Sequence, residues 1–410
     1  MKVTMTIPSY WSRKSSEGWK KGDVIYDHPT PLDEEGTLRR VIESTSILNN
    51  KDFQLVIIGA ATSDEISNEV EAKITSIIKE ISVDVEVLFF SHSHLAKIHN
   101  YLEKNHMEDF AQVLKLRGYP YIRNLCTFLP HLLGSEIAIL IDDDEIFEDP
   151  QFMDKALKYI GKHIAGQVVY AVTGYCINPD NDYNDYLINK EVKPWMTAWN
   201  KIDCMNRALK EFIGKEPRLK KTPFAFGGIM IIHRDLFTYV PNDPNITRGE
   251  DMDFLINAKM LGYTFYLDNL LSIKHKAPPK FHPVWSQVRE DIYRFVFEKA
   301  KLDTQEEMPS VFPVRVEDLD PYPGEFLRDD LEERIFKSNQ MLALDYFLND
   351  DREGAKECMN NIYLAKYDAV PRNNPFKNLL KLQNTWRNLM EYFSNRKNAK
   401  QVCELIKFPG

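Results

Sequence analysis

In the first half of the chain, segments typical of buried strands alternate with segments typical of helices. Residues 3–7, 53–58 and Ile137–Ile141 are short apolar runs with the composition of buried strands. Between such runs, apolar residues recur three and four positions apart, as they do over residues 66–81. This alternation predicts an α/β fold with a mostly parallel, doubly wound (Rossmann-like) sheet that carries helices on both faces.

The second half of the chain departs from this rhythm. A length of 410 residues favours two domains over one core. A polar stretch over about residues 178–222 is typical of an insertion over the sheet, and three prolines within residues 278–283 predict a linker. We therefore predict a sheet domain over residues 1–280 and a mainly helical C-terminal domain over residues 281–410.

Composition narrows the class of protein. The chain is 43% apolar and 28% charged, as in soluble globular proteins, and no apolar run is long enough to predict a transmembrane segment. Residues 1–8 are too short an apolar stretch for a signal peptide. Five dispersed cysteines without a CxxC pair favour reduced thiols and a cytoplasmic location. A net charge of −9 gives no indication of a nucleic-acid partner.

Four consecutive acids, Asp-Asp-Asp-Glu at residues 142–145, directly follow the strand Ile137–Ile141. Ligands of open α/β sheets bind at the carboxyl ends of strands. Like charges this close repel unless a cation or hydrogen bonds offset them, and carboxylates at such an edge suit Mg²⁺ or Mn²⁺ shared with a phosphate. The alternative is a solvated acidic turn before a helix, since Asp149 and Pro150 are suited to a helix start.

Further motifs follow in a fixed order. In that order the chain has Gly227-Gly228, Arg234 with Phe237, the acidic residues of Glu250-Asp251-Met252-Asp253-Phe254, Gly262 and His275. Together with residues 142–145, this series resembles that of a GT-A fold glycosyltransferase, closest to the large family-2 group. The family pattern has a strand ending in Asp-x-Asp-Asp, a Gly-Gly segment followed by Arg and an aromatic residue, and Glu-Asp-x-Asp-Leu leading a helix that ends in Gly. The resemblance covers roughly residues 1–280.

The resemblance implies a GT-A-type sheet and a metal-dependent glycosyltransferase of the hexosyltransferase type. Such an enzyme moves a sugar from a UDP- or GDP-sugar to an acceptor hydroxyl. The family's roles place Asp142 near the ribose and Asp144, together with Asp142, at a Mn²⁺ or Mg²⁺ ion that neutralises the leaving diphosphate. His275 is then a further metal ligand that favours Mn²⁺, although a lone His is commonly a surface or core residue.

The resemblance also implies catalytic and donor-binding residues. In inverting members the Asp of the Glu-Asp pair is the general base, which here is Asp251 beside Glu250; such a base contributes about 10²–10⁴-fold. The alternative is that both acids only favour the helix dipole. Arg123 is expected to offset phosphate charge, or else to lie on a helix surface. The residues expected along the donor nucleotide are Pro8, Ser9, Tyr10, Arg123, Asp142, Asp143, Gly227 and Gly228.

Other interpretations stay open at this point. Gly36-Thr37-Leu38-Arg39-Arg40 faintly resembles the phosphate loop of a nucleotidyltransferase, but it does not directly follow the first strand as that loop should. A non-catalytic nucleotide- or carbohydrate-binding protein on the same fold is the second alternative. Trp195 and Trp199 suit either sugar stacking or a satellite core. We expect the helical tail to pack on the sheet, complete the acceptor side or make a homo-oligomer contact.

Overall fold

The computed structural model describes residues 1–18, 20, 25–179, 183–278 and 282–408. The strands are β1 (Val3–Ser12), β2 (Thr30–Pro31), β3 (Gln54–Ala61), β4 (Glu86–Phe90), β5 (Ile137–Ile141), β6 (Glu145–Ile146), β7 (His163–Ile164), β8 (Gln167–Val168), β9 (Ala171–Ile177), β10 (Leu219–Lys221), β11 (Ile229–His233) and β12 (Phe265–His275). The helices are α1 (Leu38–Ser44), α2 (Ser67–Glu80), α3 (His92–Lys104), α4 (Glu108–Ala111), α5 (Tyr119–Leu132), α6 (Phe152–Ala156), α7 (Trp195–Ala198), α8 (Lys201–Phe212), α9 (Arg234–Phe237), α10 (Glu250–Met260), α11 (Val284–Asp303), α12 (Leu331–Leu348), α13 (Arg352–Tyr367), α14 (Pro375–Ser394) and α15 (Arg396–Ile406). Short 3₁₀ helices cover Ser15–Glu17, Thr45–Ile47, Asp64–Ile66, Val316–Leu319 and Gly324–Phe326.

The central sheet is mixed but mostly parallel. Its strands lie in the order β10-β12-β9-β11-β5-β1-β3-β4, with β2 beside β1 and β6 beside β12. Strands β4, β3, β1, β5, β9 and β12 run in one direction, whereas β11 is antiparallel to both of its neighbours and β10 is antiparallel to β12. The predicted α/β architecture, with a mostly parallel central sheet and a C-terminal helical region, is confirmed.

Both faces of the sheet are covered, because successive side chains of a strand point to opposite faces. Along β5, Ile137, Ile139 and Ile141 enter one core, whereas Ala138 and Leu140 enter the other. The first core is closed by α1, α2 and α6, and the second by α3, α5, α10 and the C-terminal helices. This double coverage explains why the sheet strands are continuous apolar runs in the sequence.

The C-terminal helices pack directly on the second core. In α14, the indole Nε1 of Trp386 donates a hydrogen bond to the carbonyl of Phe237 at 2.9 Å. The ring Nε2 of His131 in α5 lies 2.7 Å from the carbonyl of Met390, which can only accept. Buried side chains from both halves of the chain therefore contribute to this second core. The predicted boundary between residues 280 and 281 lies outside the described residues and stays a prediction.

One segment differs from the sequence-based expectations. The apolar spacing over residues 152–164 predicts one long helix, but α6 ends at Ala156, and β7 forms a small hairpin with β8 through Ala165 and Gly166. Both turn residues have positive φ, a conformation that Gly adopts freely and that ends helical periodicity. The polar stretch 178–222, described except for residues 180–182, contains α7, α8 and β10.

None of the helices in the described part of the chain combines the length and the apolarity needed to cross a membrane.

Candidate functional site

A cleft of about 270 Å³ opens at the carboxyl edge of the sheet, beside the ends of β1, β5 and β12. Among the residues predicted from the sequence, its walls contain Tyr10, Arg123, Asp142, Asp143, Asp144, Gly227, Glu250, Asp251 and His275. The fold thus brings together motifs that are more than a hundred residues apart in the chain. A second cavity of about 410 Å³ lies at the carboxyl ends of β3 and β4 and contains none of these residues.

The acidic run forms a turn, but it is not a solvated one. The amide of Glu145 donates to the carbonyl of Asp142 at 3.2 Å, so the chain reverses at the end of β5. The two-residue strand β6 then pairs antiparallel with β12 and sets Glu145 opposite His275. The side chain of Asp144 is 13% exposed and Glu145 is 2% exposed. Burial of this many acids calls for compensating positive charge.

Three side chains are close enough to share one cation. Ligand atoms of Asp144, Glu145 and His275 all lie within 4.8 Å of one another, and Asp144 Oδ2 is 3.2 Å from His275 Nε2. Glu145 Oε2 is buried and makes no hydrogen bond within the described part of the chain, while Oε1 lies 3.4 Å from the thiol of Cys176. Two carboxylates and an imidazole are suitable ligands for Mn²⁺. The residues present therefore fit a divalent metal.

The pKa values of Glu145, Asp144 and His275 are all shifted, because burial and the charges of neighbouring side chains act on them together. Burial raises the pKa of Glu145 well above its ordinary value, and nearby Asp144 raises that pKa further. Burial also acts to raise the pKa of Asp144, but the hydrogen bond and charge of His275 hold it below its ordinary value. For His275, burial acts to lower the pKa, but the hydrogen bond and charge of Asp144, together with the charges of Glu145 and Asp142, outweigh burial and raise the pKa to about 9. Protonated His275 thus supplies to these carboxylates the positive charge that a bound metal cation would otherwise supply.

Arg123 joins two acidic motifs. It is buried on α5, where its Nε donates to Glu250 Oε1 at 3.0 Å and its Nη2 lies 2.8 Å from Asp142 Oδ1. The alternative of a helix-surface Arg is therefore wrong. A Cβ on Gly227 would come within 2.6 Å of Arg123 Nη2, so glycine at this position permits the arginine to reach both acids. Asp142 lies with Arg123 and outside the group of Asp144, Glu145 and His275.

Of the Glu-Asp pair at the start of α10, Asp251 has the more accessible side chain. Gly249 precedes the helix with φ +72°. Asp251 Oδ2 accepts from the amide of Gly227 at 3.1 Å, and Oδ1 accepts from the amide of Met252 at 2.8 Å. Glu250 is buried and bound to Arg123. The two backbone hydrogen bonds fix the Asp251 carboxylate at the wall of the cleft.

The predicted donor-binding residues divide into two sets. Tyr10 lies on the cleft, whereas Pro8 and Ser9 are buried within β1 and are not part of its lining. Ser9 Oγ donates to Asp143 Oδ2 at 2.8 Å, so Ser9 holds the acidic run from behind. Gly228 also lies behind the cleft, where a Cβ would come within 2.7 Å of Glu145 Oε1.

Five cleft residues were not predicted from the sequence: Asp27, His28, Tyr119, Arg248 and Gly249. The rings of Tyr10, Tyr26 and Tyr119 pack together with centroids 4.4–5.2 Å apart, and Arg248 forms an ion pair with Asp27. A sequence signal for part of this wall is the length of the segment over residues 11–35, which contains Asp27 and His28. Residues 19 and 21–24 of that segment lie outside the described residues.

The competing motifs do not lie on the cleft. Arg39 pairs with Glu35 and Glu80, and Arg40 donates to the carbonyl of Lys276. Neither arginine is part of the cleft lining.

Trp195 and Trp199 are buried, and the ring of Trp199 lies 5.0 Å from that of Phe326. Both tryptophans belong to the second core of the sheet, so the structure favours a core role over sugar stacking but shows no separate satellite core among the residues that it describes.

Comparison with known proteins gives structural likeness only. No protein-family model matches the chain, and no curated protein sequence does. The mannosyltransferase PcManGT from Pyrobaculum calidifontis, solved with GDP-Man and Mn²⁺, is 14% identical with a TM-score of 0.45, over 97% of this chain and 86% of that one. A structure described as a mycobacterial protein is 16% identical with a TM-score of 0.36, over 72% of this chain and 74% of that one.

Proposed function

We propose that this protein is a metal-dependent glycosyltransferase that moves a sugar from a nucleotide-diphosphate sugar to an acceptor hydroxyl. One observation carries the proposal. Asp144, His275 and the fixed carboxylate of Asp251 open onto one cleft of about 270 Å³, and the buried Glu145 lies directly behind the first two. Cation ligands and a candidate base on the same cleft are what the expulsion of a diphosphate and the activation of a hydroxyl both need.

The residues that would hold the metal are Asp144, Glu145 and His275. A divalent ion bound there supplies Lewis-acid stabilisation for the charge that develops on the leaving diphosphate. Glu145 takes the third position because its Oε2 is buried and makes no hydrogen bond within the described residues. Asp142, which was expected at the metal, is held by Arg123 instead and is better placed to orient the donor.

Asp251 is the residue proposed to accept the acceptor's proton. Its carboxylate accepts two backbone hydrogen bonds, from Gly227 and Met252, which fix its orientation. Glu250 is bound to buried Arg123 and so acts as a positioning residue, not as the base. A base on Asp251 predicts inversion at the anomeric carbon, which NMR of one product would reveal.

Nucleotide-sugar turnover tests the proposal directly. We expect UDP- or GDP-sugar hydrolysis or transfer in the presence of Mn²⁺, and we expect Asp144→Asn to lower it by about 10²-fold or more, as loss of one preorganised electrostatic group does. Asp251→Asn should lower transfer by about 10²–10⁴-fold. The Asp251 variant should still be stabilised thermally by donor with Mn²⁺, because its metal group is intact.

Asp52→Asn is the matched control, since Asp52 is exposed before β3 and remote from the cleft. Its turnover should equal that of the wild type. If no nucleotide sugar raises the melting temperature of the wild type with Mn²⁺ present, the glycosyltransferase proposal fails.

A further inference from the structure

Helices α12 and α13 form an antiparallel hairpin on the outside of the C-terminal region. Glu332 near the start of α12 lies 3.4 Å from Lys366 near the end of α13, and Tyr346 packs against Gly354 at the other end. The inner side of the hairpin is anchored by polar contacts, such as Asn339 Oδ1 accepting from Asn361 Nδ2 at 2.9 Å. The two helices therefore form one surface element with a defined inside and outside.

The outside of this hairpin exposes several large apolar side chains among its charged residues, where a solvent-facing helix surface is usually polar. Six large side chains on it are 50–73% exposed: Leu344, Phe347, Leu348, Met359, Tyr363 and Tyr367. We call these six residues the α12–α13 face. Spacings of three and four residues align them in stripes along each helix, and the ring centroids of Tyr363 and Tyr367 lie 4.8 Å apart.

The exposed area is too large for an ordinary monomer surface. The three aromatic side chains present about 150–250 Å² each and the three aliphatic ones somewhat less, so exposure of 50–73% leaves roughly 600–700 Å² of mostly apolar surface. The largest apolar patch on a typical monomer is about 300–600 Å². A standard interface buries about 800 Å² on each partner, so this face alone nearly supplies one side of a stable dimer.

The charges on the rim favour a second copy of the chain over an anionic surface. Three ion pairs lie on the rim: Glu332–Lys366, Glu333–Lys337 and Glu353–Lys356. Each pair contains one glutamate and one lysine, so the rims of two identical chains would not repel each other. They also lack the basic excess that binds anionic lipid, and the whole chain has a net charge of −9. An isologous contact places the same apolar patch on both subunits.

We propose that the protein forms a two-fold symmetric homodimer through the α12–α13 face. The face lies on helices that do not contribute to the cleft lining. Dimerisation is therefore independent of the proposed transferase chemistry, and the two proposals succeed or fail separately.

Sedimentation velocity on the full chain tests the dimer. At about 10 μM, above the micromolar to picomolar dissociation constants of standard-size interfaces, the wild type should have about twice the 47.9 kDa mass of one chain. The double variant Leu348→Glu/Tyr363→Glu should raise the dimer dissociation constant at least about thirtyfold, as loss of a central hot spot does. Circular dichroism and the melting temperature verify that the variant is folded.

Leu405→Glu is the matched control, because Leu405 is 46% exposed on α15, away from the hairpin. It should remain dimeric. Tyr367→Lys is a milder second variant if the double variant does not fold. A single-chain mass for the wild type, or a dimer that the folded face variants leave intact, would overturn the proposal. A monomeric wild type that co-sediments with neutral phosphatidylcholine vesicles would overturn it in favour of a lipid surface.

Discussion

Two buried groups of charged side chains lie near each other in this protein, and they are built in opposite ways. The group at the cleft has the acidic residues 142–145 and Glu250, against the cations Arg123 and His275. The group between α10 and α11 is closer to balance, since a buried lysine and a buried arginine each face carboxylates. Both groups are buried, so they differ in the source of the positive charge that compensates their carboxylates.

In the α10–α11 group, the chain itself supplies the cations. Lys301 is fully buried, with its Nζ 2.6 Å from Asp253 Oδ1 and 3.1 Å from Asp243 Oδ2. Arg294 Nε donates to Glu298 at 2.9 Å. A buried charge is tolerated when it is paired and hydrogen-bonded. This group joins the C-terminal region to the helix that begins with Glu250 and Asp251.

At the cleft, the sequence provides more carboxylates than cations. The surplus costs folding free energy in the absence of a ligand, because like charges in a buried site repel. A protein that keeps such a surplus at the carboxyl edge of its sheet is suited to bind a cation from solution. The comparison therefore predicts opposite responses when one charge is removed from each group.

The largest effect is expected in the balanced group. Lys301→Met leaves Asp243 and Asp253 buried without their cation, and breaking a buried pair costs about 3–5 kcal/mol of unfolding free energy. Urea denaturation followed by circular dichroism measures the loss. Lys299→Met is the control, since Lys299 pairs with two exposed acids, Asp303 and Asp329, and should cost about 1 kcal/mol or less. Equal losses in the two variants would contradict the comparison.

The next effect is expected at His131, a buried side chain that has no carboxylate partner among the residues that the structure describes. His131 lies between α5 and α14, with the carbonyl of Met390, Ser394 Oγ and the ring of Phe237 around it and Arg234 as its charged neighbour. Burial lowers its pKa to about 4. Because the folded-state pKa is depressed below the unfolded value of about 6.5, stability is fully present above pH 6.5 and is lost as pH falls towards 4.

The expected loss between pH 7 and pH 4 is about 3 kcal/mol, from about 1.4 kcal/mol for each pKa unit. His131→Gln should remove this part of the pH dependence, whereas a control such as His106→Gln, at an exposed position, should retain it. An unchanged slope in His131→Gln would show that other groups carry the acid sensitivity.

The sequence predicts the fold better than it predicts the extent of individual elements. Buried strands such as β5 are visible because both of their faces are apolar. The helix predicted over residues 152–164 is wrong because its apolar spacing continues past Gly161, which has a φ of +74°. Spacing does not detect backbone conformations of this kind, which depend on the packing around them.

The sequence predicted which acidic residues belong to the candidate site, but it did not predict which side chains those acids pair with. The strand pattern placed the acids of residues 142–145 at the carboxyl edge of the sheet, and the family resemblance implied that Asp251 and His275 join them. Glu145 stayed without a role, because its place opposite His275 depends on the two-residue strand β6. Arg123 was expected to be free for phosphate, and its bonds to two acids arise only from the tertiary packing of α5.

The smallest effect is also the one with the opposite sign. Burial and the neighbouring Asp144 raise the pKa of Asp143 to about 8, so at about pH 9 Asp143→Asn removes one negative charge from the cleft group, while the amide oxygen can still accept from Ser9 Oγ. Because like-charge repulsion falls, we expect the metal-free protein to gain about 1 kcal/mol of stability. Differential scanning fluorimetry in a chelating buffer would detect this gain as a higher melting temperature.

Asp253→Asn is the matched substitution in the balanced group, where Asp253 Oδ1 faces Lys301 and Oδ2 accepts from Asn257. It should lower the melting temperature, because a buried cation loses one of its two carboxylates. Adding Mn²⁺ should then narrow the gap between Asp143→Asn and the wild type, since a bound cation offsets the same surplus and stabilises the folded state by mass action. Two Asp→Asn variants that shift the melting temperature in the same direction would show that the two groups do not differ in charge balance, and the case for a cation site at the cleft would lose its electrostatic basis.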